Sequence, residues 1–239
     1  MRTADPSAQD RRVIGHARPP ARGPGVSRRD LIADAVIELL AREGGRGLTH
    51  GNIDLLLKLP KGSTSFYFRR RTQLFEAGLR KLVAADLEDL NRVVQPLFER
   101  YRGTIPVREV AQCHYLLWQQ GSKPRMRKRT LARFEFFLHA ARDPQFGRFH
   151  TQVRKAIFEF GTRMFARLGA KKPRLAALEF GYLVRGDSMA HLFLRPSGGW
   201  HRITPAYYEQ CLREVIDKTN QLHAKRQPSP AASEAEGGR

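Results

Sequence analysis

Acidic side chains are the scarce class in this chain: 23 Asp and Glu stand against 43 Lys and Arg, a formal net charge of +20. That imbalance points to a polyanionic partner, with nucleic acid first and an anionic membrane surface second. A composition bias toward arginine accounts for part of it, so charge alone does not establish DNA binding. Long apolar runs are missing. No stretch of 18 or more apolar residues occurs, so no membrane span is expected. The Arg-rich start has no apolar h-region, so a secretory signal is not expected either. Cysteine occurs only twice, as Cys113 and Cys211. One disulfide between them stays open, but two scattered cysteines read as reduced core thiols of a cytoplasmic protein.

Catalytic and metal motifs are equally thin. There is no H-E-x-x-H and no Cys-x-x-Cys among the residues. Gly44-Gly45-Arg46-Gly47 lacks the Gly-Lys-Ser/Thr of a phosphate loop. Gly186-Asp187-Ser188-Met189-Ala190 comes near a nucleophile elbow but lacks its last glycine and sits in a helical pattern. Glu135 and His139 stand one helical turn apart with no third ligand in view. The sequence therefore predicts no enzyme, no metal and no cofactor.

What is present is helical periodicity. The chain is 239 residues long and 41% hydrophobic, enough for one large or two modest domains. Residues 1–26 are rich in Pro, Gly and Arg and read as a disordered basic tail, either an inert one or an arm that reaches along phosphate or into a minor groove. Ser27-Arg28-Arg29-Asp30 has capping-box spacing, and Leu31, Ile32, Ala35, Val36, Leu39 and Leu40 follow on one face until Gly44-Gly45. Residues 224–239 read as a second disordered tail. No strand pattern and no repeat is found between the tails.

The stretch that organises the rest is GLTHGNIDLLLKLPKGSTSFYFRRRTQLF, residues 47–75. Thr49 is a good N-cap for a helix over about 50–57 carrying Ile53, Leu56 and Leu57. Lys58-Leu59-Pro60 breaks it. A second short helix is predicted over about 61–67, with Thr64, Phe66 and Phe68 inward and Lys61, Ser63, Ser65 and Tyr67 around the surface. A long helix starting at Thr72-Gln73-Leu74 is expected to end at Pro96. Two short helices with small hydroxyls and the Arg69-Arg70-Arg71 run suit a DNA major groove.

Pro60-Lys61-Gly62-Ser63-Thr64, Phe66-Tyr67-Phe68 and Arg71-Thr72-Gln73-Leu74 together resemble the N-terminal helix-turn-helix of the TetR (tetracycline repressor) family of bacterial transcription regulators. Lys58 replaces a turn glycine usual there, Asp54 a small apolar residue, and Tyr67 a common histidine. The resemblance implies an all-α fold: a three-helix helix-turn-helix domain over 27–71, then a helical ligand-binding and dimerisation domain over 72–223. It implies a homodimer on double-stranded DNA with a palindromic operator, read as a repressor responsive to an unknown small molecule. The 72–95 helix would carry ligand binding to the head. The expected DNA-binding residues are Thr49, His50, Lys61, Gly62, Ser63, Thr64, Ser65, Tyr67, Arg69 and Arg71, with Arg71 either on phosphate or paired with an acid. Trp118, Phe134, Phe137, Phe160, Met164 and Tyr182 are candidates for a ligand pocket or for ordinary core. The helices at about 173–194 and 205–222 look apolar over more than one face, as a dimer face or a buried core helix would be. A charge-driven, non-specific nucleic-acid or anionic-surface binder is the alternative.

Overall fold

The structure is a computed structural model, and it describes residues 27–121, 123–193 and 203–224. The basic arm expected over 1–26 lies outside the described residues. So does most of the tail expected from 224, although Ala224 itself still belongs to a helix.

Among the described residues every element is a helix: α1 (Arg28–Gly47), α2 (His50–Leu56), α3 (Ser63–Tyr67), α4 (Arg71–Arg100), α5 (Val107–Gly121), α6 (Pro124–Arg142), α7 (Pro144–Arg167), α8 (Pro173–Phe193) and α9 (Pro205–Ala224). Prolines open four of them, where a missing N–H costs no helical bond. Polar caps add to this. The Asp143 carboxylate accepts the Gln145 and Phe146 N–H groups at the start of α7, and Thr204 Oγ1 accepts the Tyr207 N–H at the start of α9. The fold is all-α, with a three-helix helix-turn-helix followed by a helical C-terminal domain.

Three boundaries differ from the sequence reading. Gly44 leaves the helical region at φ +66, yet one more turn continues to Gly47. The Glu135 carboxylate of α6 accepts the Gly45 N–H at 2.9 Å and holds that turn. Helix α3 starts at Ser63, not Lys61, because Gly62 takes φ +87 at its N-cap. Helix α4 runs straight through Pro96. An internal proline costs about 3 kcal/mol. Val94 and Leu97 are both buried beside it, and burial of each contributes about 1.5–3 kcal/mol, which offsets the break.

At about 1.5 Å per residue, the 30 residues of α4 span about 45 Å. The helix serves two cores in turn. Its first half packs Leu74, Phe75, Leu79 and Leu82 against Val36, Leu40 and Ile53 of the head, with Phe136 of α6 and Phe146 of α7 closing that core. Its second half puts Val94 and Leu97 into a core with Val110, Phe160, Phe165, Phe180, Tyr208 and Leu212. The α1–α4 crossing is close: a Cβ on Gly78 would lie 2.5 Å from Val36 Cγ1.

Helix α6 is bound to both sides. Lys128 pairs with Glu38 of α1 at 2.7 Å. Arg129 is buried and reaches Asp86 at 2.5 Å and Asp89 at 2.7 Å, while Arg133 reaches Asp86 at 2.8 Å. Helix α9 proves one-sided. Tyr208, Cys211, Leu212, Val215 and Ile216 are buried in the chain's own core, while Gln210, Arg213 and Asp217 face out. Helix α8 instead leaves Leu178, Tyr182 and Met189 exposed. Both cysteines are free, buried thiols, and Cys113 donates to the Val93 carbonyl. Among the described residues no helix is long and apolar enough to cross a membrane.

Candidate functional site

The helix-turn-helix is built around one buried carboxylate. Asp54, on α2, is 4% exposed. Its Oδ2 accepts the Gly62 N–H at 2.8 Å, and its Oδ1 accepts the Thr64 N–H at 2.8 Å and the Thr64 hydroxyl at 2.6 Å. Glycine at the N-cap of α3 has no side chain to cap with, so the preceding helix supplies the cap and places negative charge at the helix start. An acid in place of a small apolar residue thus has its partner in Thr64. The turn between them closes α2 with a left-handed residue. Lys58 N–H donates to the Leu55 carbonyl and Leu59 N–H to that of Asp54, a Schellman arrangement, and Lys58 has φ +52.

This scaffold sorts the expected DNA contacts. Lys61, Gly62, Ser65 and Arg69 are exposed. Thr49 is exposed too, but its hydroxyl caps α2 by accepting the Asn52 N–H. Thr64 is fully buried and cannot face DNA, because its hydroxyl is spent on Asp54. Ser63 donates its hydroxyl to the Pro60 carbonyl at 2.6 Å. His50 donates from Nε2 to the Phe68 carbonyl at 2.7 Å, tying the start of α2 to the end of α3. Tyr67 is half-buried against the head core. Arg71 is exposed and, among the described residues, has no acid within ion-pair distance. Its guanidinium donates to the Leu48 carbonyl at 2.8 Å and to the Gly45 carbonyl, over the Phe75 ring. Phe66, expected inside, is 81% exposed on α3, and Leu55 is 79% exposed on α2. In a helix only five residues long the one buried position is Thr64, Phe68 is buried just past its end, and Phe66 turns outward beside Ser65.

A cavity of about 740 Å³ lies among α4–α9, within the range of small-molecule sites. Trp118, Phe134, Phe160 and Met164 line it, as does Phe180. Phe137 and Tyr182 do not. Tyr182 lies at the exposed surface of α8, and the Phe137 ring is covered by the Arg154 and Arg185 guanidinia at 5.2 Å and 5.9 Å. Arg154 and Arg185 themselves line the cavity with His150. Burial, and the nearby Arg133 and Arg185, lower the Arg154 pKa to about 10. Burial also lowers that of Arg185. Burial, with Arg154 and Arg185 alongside, pushes His150 down to about 4, and burial alone brings His114, at another point of the lining, to about 4. Both imidazoles are therefore neutral near pH 7, and each leaves a buried Nε2 without a hydrogen-bond partner.

Neither catalytic nor metal chemistry assembles among the described residues. Ser188 lies inside α8 and donates to the Val184 carbonyl at 2.7 Å. Glu135 holds the Gly45 N–H and His139 stacks on Phe75 at 3.9 Å, so that pair serves the head's packing. Among the described residues no three His, Cys, Asp or Glu side chains cluster as metal ligands would.

Residues 120–218 match the family model described as the tetracyclin repressor-like C-terminal domain. No curated protein sequence matches the chain. Among solved structures, a transcriptional regulator from Rhodococcus sp. Rha1 superposes with a TM-score of 0.61 at 18% identity, covering 82% of this chain and 97% of its own. A TetR-family member from Streptomyces coelicolor A3 gives 0.62 at 19% identity, covering 80% and 99%. The multidrug binding protein EbrR, solved as an ethidium complex, gives 0.59 at 21% identity, covering 80% and 99%. The chain has the TetR fold, and its C-terminal part is a TetR-type domain.

Proposed function

We propose that this chain is a DNA-binding transcriptional regulator of the TetR type, acting as a homodimer on a palindromic operator and released from it by a small molecule. One observation carries the reading: the buried Asp54 fixes α3 so that Lys61, Ser65, Phe66 and Arg69 are offered to solvent together. Lysine and arginine suit phosphate, a serine hydroxyl suits a base edge or phosphate, and a phenyl ring suits a thymine methyl.

A two-fold pair of heads would meet successive major grooves about 34 Å apart, or a multiple of that. The exposed Leu178, Tyr182 and Met189 of α8 support a self-complementary dimer face. Helix α6 supports the coupling. It lines the cavity through Met126, Thr130 and Arg133 and holds the head through Lys128 and Glu135. A ligand that displaces α6 along with α4 would move the head off operator spacing, and it can shift operator affinity only by its own preference for the displaced state, typically about 1–3 kcal/mol.

A footprint of purified protein on the DNA around its own gene tests this, with a symmetric protected site expected. Gel-shift titrations add the contacts: Lys61→Ala with Ser65→Ala weakens operator binding. Equal affinity for operator and random DNA across a salt series would instead favour the charge-driven reading, which the +20 net charge supports.

A further inference from the structure

We propose that the cavity takes an organic anion, an apolar body with a single acidic head, and that Arg154 and Arg185 receive the head. The inference rests on the reading of this cavity as an effector site and names the chemical class of the effector.

The wall charges decide the sign. Three acids line the cavity: Asp86, Asp89 and Glu159. Asp86 is held by Arg129 and Arg133, Asp89 by Arg129 and Arg92, and Glu159 by Arg174 at 3.3 Å. All three negative charges are already answered. Arg154 and Arg185 are not: among the described residues neither has a carboxylate within ion-pair distance or a hydrogen bond. Their contacts are faces of aromatic rings, Phe137 for both and Tyr182 at 4.8 Å for Arg185. Asp86 is the one acid whose field reaches Arg154, and it is shared with two other guanidinia. The buried Nε2 of His150, 8% exposed as a residue, lies beside the two arginines without a partner. Half-buried cations that repel each other are unfavourable in the empty protein, and an incoming anion relieves that cost. A guanidinium pair suits a carboxylate, which has four acceptor positions for its donors. The rest of the lining, from Trp118, Phe160, Met164 and Phe180, is hydrocarbon and aromatic and suits an apolar body.

Spacing supports the assignment. His150 and Arg154 stand one turn apart on α7, and both line the cavity together with Arg185 of α8.

Calorimetric titration of the full chain with decanoate, decyltrimethylammonium and 1-decanol tests the proposal, the three probes sharing a long alkyl chain under an anionic, a cationic and a neutral head. Decanoate should bind at least about tenfold tighter than either of the others. Arg154→Met and Arg185→Met should each weaken decanoate about 30-fold while leaving 1-decanol unchanged, and exposed Arg108→Met should change neither. Thermal unfolding guards against misfolded variants, since removing an unanswered cation should raise the melting temperature of the empty protein. If decyltrimethylammonium or decanol binds as well as decanoate, the anion assignment is overturned and the effector site survives. If decanoate binds equally to both methionine variants, the arginine assignment is overturned. If no probe binds, both readings fail.

Discussion

Two charged sites in this molecule have opposite surroundings. Asp54 in the head accepts three hydrogen bonds, from two backbone N–H groups and one hydroxyl. Arg154 and Arg185 in the cavity wall have no counterion within reach among the described residues, and His150 beside them has an idle nitrogen. A satisfied buried charge fixes a geometry that the chain completes alone. An unsatisfied one is a cost that folding carries for something that arrives later. The head is finished on folding, whereas on the proposed reading the cavity is completed by its ligand.

Acid should expose the difference most strongly. His114 and His150 have folded pKa values of about 4, below the ordinary value near 6.5, so the folded state binds their protons less readily than the unfolded chain does. Stability is then fully present above pH 6.5 and is lost as the pH falls toward 4, by on the order of 6 kcal/mol for the pair. Urea unfolding between pH 7 and pH 4 measures the loss. Replacing both imidazoles by Gln should flatten the slope across that window. A slope that persists in the double variant would place the acid-sensitive groups elsewhere and dissolve the contrast.

On the finished side, Asp54→Ala should cost about 3 kcal/mol, since it strips three bonds from one buried group and leaves the Thr64 donors unanswered. Operator binding should fall further than stability, because α3 loses its cap and its orientation. Gel shifts at a temperature where the variant is still folded separate the two losses. Arg154→Met should move the other way and stabilise the ligand-free protein by about 1 kcal/mol, as replacing an unmatched half-buried cation by an apolar chain of similar length does. A destabilised Arg154→Met protein would mean that Asp86 already answers that charge.

What the residue order reveals on its own follows from which interactions are local. Helix periodicity, proline starts and the Ser27 and Thr204 caps depend on neighbours a few residues away, so pattern alone places most of the helices to within a few residues. Pro96 reads as a helix end by the local rule, and the burial of Val94 and Leu97, a tertiary fact, outweighs that rule. Asp54 is a misfit on its own helix, and its partner Thr64 lies in the next one. Phe66 reads as inward on the strength of being aromatic, although in the five-residue helix only Thr64 is buried, with Phe68 buried just past its end. Arg154 and Arg185 leave little signal in the sequence, because His150, Gly161, Gly181 and Ser188 stand in their helical rows and no apolar stripe marks them out. Ring chemistry alone singles out Phe137 and Tyr182, and neither lines the cavity.

The head has one unrelieved cost of its own, and it is small. Lys58 holds φ +52 at the C-terminal turn of α2, a region costing a side chain about 1–2 kcal/mol. The two backbone bonds that close this turn, to Leu55 and Asp54, require that conformation whatever the side chain. Glycine reaches it without penalty but loses more entropy on folding, about 0.5–1 kcal/mol. Lys58→Gly should therefore stabilise by about 0.5 kcal/mol. Lys58→Ala keeps the strain and should leave the urea midpoint nearly unchanged. Because Lys58 is exposed, a role on phosphate would appear separately: both variants would then reduce the salt slope of operator binding by about 0.9 per half-site, in equal measure. A gain in stability with glycine alone, set against an equal effect of both variants on the slope, would divide what the turn costs from what its charge contributes.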